Sequence, residues 1–209
     1  MLVSPCPEST GVPSPPKTNY LTKMKTRSIL MSGIAALIFS ASSALAQEMP
    51  EMPKPQSEHK WLQQLAGEWE SEMECTMEPG KPPVKNKMTE KARSLGGFWL
   101  VSEGSGEAMG SPFSSILTIG YDPGKKKFIG SWVDSMTSTM WKYEGTLGDD
   151  GKTLTLETEG PCPMQGGKIC KFKEVIVFQD ENHKTFTSSV QGEDGNWTTF
   201  MSAKSTRTK

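Results

Sequence analysis

The run Gly67-Glu68-Trp69-Glu70-Ser71-Glu72-Met73-Glu74-Cys75-Thr76-Met77 decides the fold. Trp69, Ser71, Met73, Cys75 and Met77 alternate with Glu68, Glu70, Glu72, Glu74, Thr76 and Glu78, the two-residue period of a strand with one apolar and one wetted face. Just upstream, Ser57 to Ala66 reads as a short helix. Ser57 is its expected N-cap, Glu58 lies near the positive end, and Trp61, Leu62 and Leu65 share a stripe. Gly67 is free to take the left-handed conformation that ends the helix. So short a helix needs a packing partner, so it is expected to lie as a plug on the end of something larger.

Beyond a turn at Pro79 to Pro83, Lys87, Thr89, Lys91 and Arg93 alternate with Met88, Glu90, Ala92 and Ser94. An antiparallel hairpin sets these cations opposite the glutamates of the first strand, which makes both charge runs a solvated sheet surface and fixes register. Further strands are expected at Phe98 to Glu103, Phe113 to Tyr121, Lys127 to Asp134, Thr137 to Thr146, Thr153 to Glu159, Lys171 to Gln179, Thr185 to Gln191 and Trp197 to Ala203, with Gly, Asp, Asn and Pro between them. No helical crossover interrupts the series, so successive strands must be antiparallel, and about ten of them curl and close to remove their edges. The expected fold is all-β, an antiparallel up-and-down barrel of about ten strands with a short N-terminal helix capping one end. A β-sandwich is the alternative.

The chain has 209 residues, 34% of them hydrophobic, and a formal net charge of −1, which suits one domain with terminal appendages. Scattered lysines matched by glutamates give no basic stripe for tracking phosphates, and nucleic acid is excluded as a partner. Lys25 and Arg27 precede the apolar run Ile29 to Phe39, and small residues follow to Ala44-Leu45-Ala46, the order of a secretory signal cleaved between Ala46 and Gln47. That run is too short for the ~20 residues of a spanning helix, so no stable membrane anchor is expected after cleavage. Residues 1–23 read as an extraneous upstream extension, with Met24 as the expected start, 24–46 as the signal, 47–56 as a flexible linker and 57–209 as the barrel domain. Removing residues 1–46 takes away four of the 23 basic and one of the 24 acidic residues and leaves −4. The expected location is periplasmic or extracellular, in a bacterium.

Cys75, Cys162 and Cys170 survive cleavage into an oxidising compartment. Cys162 and Cys170 flank a Gly/Pro-rich loop at neighbouring strand ends and are the preferred disulfide, with Cys75 to Cys162 as the alternative. A close-spaced pair such as C-x-x-C is missing, and His59 and His183 have no metal-ligand companion at useful spacing, so neither a metal nor any other cofactor is expected. The serines show no nucleophile-elbow pattern.

Taken together, Leu62, Leu65, Gly67 and Trp69, then Leu95 to Trp99, then Gly120-Tyr121-Asp122 and Trp132-Val133-Asp134, and finally Gly151 to Leu154 resemble a bacterial family known as domain of unknown function 1579. The resemblance covers most of the chain after the signal. It implies a calycin-like barrel related in shape to lipocalins and fatty-acid-binding proteins, and it brings no activity and no catalytic residues.

Projecting the strand alternation inward puts Trp69, Met73, Cys75, Met88, Phe128, Leu154, Leu156, Phe172, Ile176 and Phe178 in the interior, together with six residues proposed to bind a ligand: Glu90, Trp132, Asp134, Trp141, Tyr143 and Glu174. An apolar wall with a few carboxylates and a phenol suits a small hydrophobic or amphipathic ligand. Lys142, Arg93 and Tyr143 are the expected partners of the carboxylates. Asp134, beside Trp132 and a turn, is the strongest candidate to anchor a polar ligand end or act as a base. The leading reading is a carrier or sensor of a small hydrophobic molecule; the alternatives are a ligand-free structural or interaction barrel and an enzyme using a cavity carboxylate.

Overall fold

The computed structural model describes residues 51–76 and 80–209. The expected upstream extension, the signal with its Ala46–Gln47 cleavage, and the end of the first strand at Met77 lie outside them. The chain enters through α1 (Ser57–Leu62), which tightens into a 3-10 turn at Gln63–Leu65. Ten strands follow: β1 (Gly67–Cys75), β2 (Val84–Leu95), β3 (Trp99–Ala108), β4 (Ser111–Asp122), β5 (Lys127–Asp134), β6 (Trp141–Leu147), β7 (Thr153–Cys162), β8 (Lys168–Phe178), β9 (His183–Gln191) and β10 (Trp197–Arg207). Each pairs antiparallel with the next, and β1 pairs with β10 to close the barrel. The expected all-β up-and-down barrel with a helix near one end is therefore the fold, and the sandwich is not.

The outer face of β1 meets β2 in the expected register, with Glu68 opposite Lys91, Glu72 opposite Lys87 and Glu74 opposite Lys85. Lys85 Nζ lies 2.9 Å from Glu74 and Lys91 Nζ lies 3.9 Å from Glu68. These pairs are solvated and screened, so they fix register more than they stabilise the fold.

Several boundaries differ from the sequence expectation. Gln56, not Ser57, is the N-cap: its backbone N–H donates to His59 Nδ1 at 3.0 Å, while the Ser57 hydroxyl turns to Glu58. β3 continues past Glu103 because Ser105, Gly106 and Glu107 pair with Ser114, Phe113 and Pro112, a continuation no apolar residue marks. The stretch 135–140 is a loop and β6 starts only at Trp141, since Asp134 Oδ1 accepts from the amides of Met136 and Thr137 and turns the chain. Gly160 to Cys170 is a hairpin rather than a loop, paired Gly160 to Cys170 and Cys162 to Lys168 around a turn at Pro163–Gln165.

The plug is held by packing and by the contacts of two indoles. Leu62 and Leu65 are buried, and the Trp61 ring stands edge-on to Phe128 and Phe178 while its Nε1 donates to the Gly151 carbonyl at 2.8 Å. Trp69 is 1% exposed, donates to the Leu65 carbonyl at 3.0 Å, and lies between the cations of Lys184 and Arg207, at 4.3 and 4.1 Å from its ring. Burial of each such apolar side chain is worth ~1.5–3 kcal/mol. Gly67 joins plug to strand at φ +128°, where a Cβ would stand 2.6 Å from the Lys209 carbonyl. Buried His59 packs edge-on between Phe98 and Tyr121, a role in the plug and not in the interior.

Candidate functional site in the barrel interior

Ten strands enclose a wider interior than eight, and whether it fills depends on the side chains that point in. Near the plug it fills: Trp69, Phe128, Leu154 and Phe178 join Trp61, Leu62 and Leu65 in one buried cluster. Higher in the barrel many inward positions are small, among them Ser71, Ser102, Gly104, Ser115, Ser188 and Ala203. The facing walls cannot meet there, and a cavity of about 340 Å³ remains, running from Leu65 of the plug to Phe113 and Asp134 near the opposite rim. Inward residues such as Met73, Trp132, Trp141, Ile176 and Phe186 are consequently only half-buried.

All six residues proposed from the sequence to bind a ligand, Glu90, Trp132, Asp134, Trp141, Tyr143 and Glu174, line this one cavity. Of the partners expected for the carboxylates, Tyr143 is found, on Glu174, while Lys142 and Arg93 are not. Glu90 pairs with Lys184, Nζ to Oε2 at 2.9 Å, and accepts from the Ser102 hydroxyl at 2.8 Å. Lys184 is 7% exposed and lies against both Glu90 and the Trp69 ring. Lys142 and Arg93 point to solvent. Asp134 accepts from the Trp132 indole at 3.2 Å in addition to its two turn amides, so this carboxylate holds the strand end and orients the tryptophan.

Glu174, like Asp134, has no cation as a partner; its donors are hydroxyls. Burial pushes its pKa up from 4.5 to about 7, against the opposing pull of hydrogen bonds from the Tyr143 and Ser188 hydroxyls. Its half-buried surface opens on the cavity, so the desolvation is that of a lined chamber. Tyr143 is raised in turn, by burial first and then by the adjacent Glu174, and stays a protonated donor. Ser115 Oγ, 5% exposed and facing the cavity, has no hydrogen-bond partner.

Sequence reasoning missed Lys184, Ser188, Phe200 and Met201 in this wall. The first two were legible in principle, because beginning β9 at His183 puts Lys184, Phe186 and Ser188 on one face. Phe200 and Met201 were not: a bulge between Thr199 and Met201 turns two consecutive residues inward, which no alternation reports.

Cys162 and Cys170 sit together on the β7–β8 hairpin in a small cluster with Phe172 and Val190, and both are free thiols in the structure. Burial first, and then the neighbouring Cys162, push the Cys170 thiol up. The Cys170 thiol lies 3.2 Å from Gln165 Oε1. Trp141 packs beside this cluster and covers Gly160, where a Cβ would come within 2.2 Å of its ring. No set of three His, Cys, Asp or Glu side chains arranged to hold a metal occurs among the described residues.

Among solved structures, the fold is similar to Rv2717c from M. tuberculosis, at 14% identity and a TM-score of 0.55, covering 75% of this chain and 100% of that one. A redesigned β-barrel aligns at 12% identity and a TM-score of 0.38, covering 70% of this chain and 93% of the other. The first likeness extends to the fold alone. No curated protein sequence matches. Residues 54–207, which include the plug, every strand and the whole cavity wall, match the family model described as "Protein of unknown function (DUF1579)", and the chain belongs to that family.

Proposed function

We propose that this barrel binds a small, largely apolar molecule with one polar end in its interior, and that it does so outside the cytoplasm. The observation that carries the reading is the 340 Å³ cavity, walled by Trp132, Trp141, Phe172, Ile176 and Phe186 with Glu174, Tyr143 and Ser115 set into it. Binding sites combine apolar area with a few orienting polar groups in this manner. The volume is about twice the ~150 Å³ that admits benzene, room for one ring or a short chain. Export is supported by Lys25 and Arg27 ahead of the apolar run Ile29 to Phe39 and the small residues up to Ala46.

The test is native mass spectrometry of protein recovered from an extracytoplasmic fraction, with titration of an apolar fluorescent probe alongside. A co-purified small molecule or a displaceable probe is expected, on a chain beginning at Gln47. A protein that carries nothing and leaves every apolar probe unshifted is a structural barrel instead.

A further inference from the structure

We infer that the interior site selects a small apolar molecule carrying an organic ammonium group, with Glu174 as its counter-ion, and discriminates against carboxylate ligands such as fatty acids. The inference rests on the ligand-binding reading of the same cavity and adds the charge of what enters it.

The charges in the wall decide the sign. Glu90, Asp134 and Glu174 line the cavity and Lys184 is the cation among its lining residues. The charge of Lys184 is already neutralised by Glu90 at 2.9 Å, so the pair offers an incoming anion no net positive charge. An incoming carboxylate therefore meets an excess of negative charge and no free donor of positive charge. Asp134 accepts from an indole and two amides, which tie it to the strand end and leave its negative charge uncompensated. Glu174 has hydroxyl donors only, from Tyr143 on β6 and Ser188 on β9, while β7 presents Leu156 opposite it; the other ionisable groups of the wall are Asp134 on β5 and the Glu90–Lys184 pair joining β2 and β9.

A second, independent observation points into the same chamber. Ser115 Oγ is 95% buried by its 5% exposure, faces the cavity and has no partner, although a hydroxyl can both donate and accept. A buried polar atom left unpaired is costly, and a ligand's polar end would relieve it. Trp132 and Trp141 stand in the same wall, and indole rings attract cations rather than anions to their faces. Burial of Glu174 raises its proton affinity for lack of a neutralising partner; an ammonium ion supplies that partner and lets the carboxylate ionise.

Three probes of one size separate the arms: phenethylamine, phenethyl alcohol and phenylacetate, titrated into the folded protein by calorimetry. At about pH 8 the amine is expected to bind at least about tenfold more tightly than phenylacetate and more tightly than the alcohol. Its affinity should fall about tenfold between about pH 8 and about pH 6 as Glu174 takes up its proton. Glu174→Gln should abolish both the preference and the pH dependence, so that the amine binds no more tightly than the alcohol at either pH. Tyr143→Phe keeps the carboxylate but removes a donor, so the amine should still be preferred with its pH midpoint moved upward; this variant carries the test should Glu174→Gln fail to fold. Equal binding of amine and alcohol, tighter binding of phenylacetate, or an amine preference that survives Glu174→Gln overturns the charge selection and leaves the cavity reading standing. Failure of all three probes to bind overturns both.

Discussion

Glu174 should make this barrel less stable as the solution becomes more alkaline. In the unfolded chain its carboxyl titrates near the ordinary 4.5; in the folded barrel burial holds the proton until about 7. Between those values the folded state binds a proton that the unfolded state has lost, so the contribution is favourable to folding at low pH and is lost as pH rises through about 7. A rise from 4.5 to about 7, at ~1.4 kcal/mol per pH unit, amounts to about 3 kcal/mol. That figure is a ceiling, because the side chain is half-buried against a cavity that water can enter. Glu174→Gln keeps the shape and removes the charge. Measured by urea denaturation, the variant should gain up to about 3 kcal/mol over the parent at about pH 8 and much less at about pH 5, equivalent to a rise of several degrees in Tm at the higher pH. A difference between the two proteins that stays flat from about pH 5 to about pH 8, or a variant less stable at the alkaline end, would refute the assignment of an unneutralised buried carboxylate.

Lys184→Met removes the partner of Glu90 at 2.9 Å and should destabilise the fold by about 3 kcal/mol, with much of the loss recovered in the double variant Lys184→Met/Glu90→Gln; chemical denaturation of all four proteins measures the coupling. Gly67→Ala places a Cβ 2.6 Å from the Lys209 carbonyl at φ +128°, and differential scanning calorimetry should show a loss of at least about 1 kcal/mol; an unchanged Tm would mean that the C-terminal strand end is not held there. Gly160→Ala drives a methyl into the Trp141 ring, so the tryptophan emission of the protein should shift and apolar probe binding should weaken, whereas wild-type behaviour in both would detach Trp141 from the cavity wall. Mild oxidation of the purified protein should join Cys162 to Cys170, seen as a lost pair of titratable thiols and a single crosslinked peptide from the β7–β8 hairpin; a crosslink through Cys75 instead would reverse the pairing.

The barrel and most of its wall were legible because alternation is a local signal. A half-buried strand records its two faces in its own order of residues, as Trp69 to Cys75 does, and that order gave the six cavity residues before any contact was known. Expected ends of strands failed where pairing alone extends them, as at Ser105 to Glu107, and where a side chain stops them, as Asp134 does with its two amides. Asp134 stands out in the sequence by its place beside a tryptophan and a turn, and its hydrogen bonds also make it a strand terminator; Glu174 has no such local mark, because its raised proton affinity comes from burial in the closed barrel.

By itself the sequence determined the class of fold, the antiparallel order of the strands, the plug at one end and many of the inward-facing residues, since all of these follow from periods and turn residues read within a few positions of one another. Only the closed tertiary structure decided that serines and a glycine from separate strands leave a hollow between them, that Lys184 crosses to Glu90 from a residue 94 positions away, and that a bulge turns both Phe200 and Met201 inward. Those outcomes depend on distances across the barrel, which closure of the ring sets and no single strand encodes.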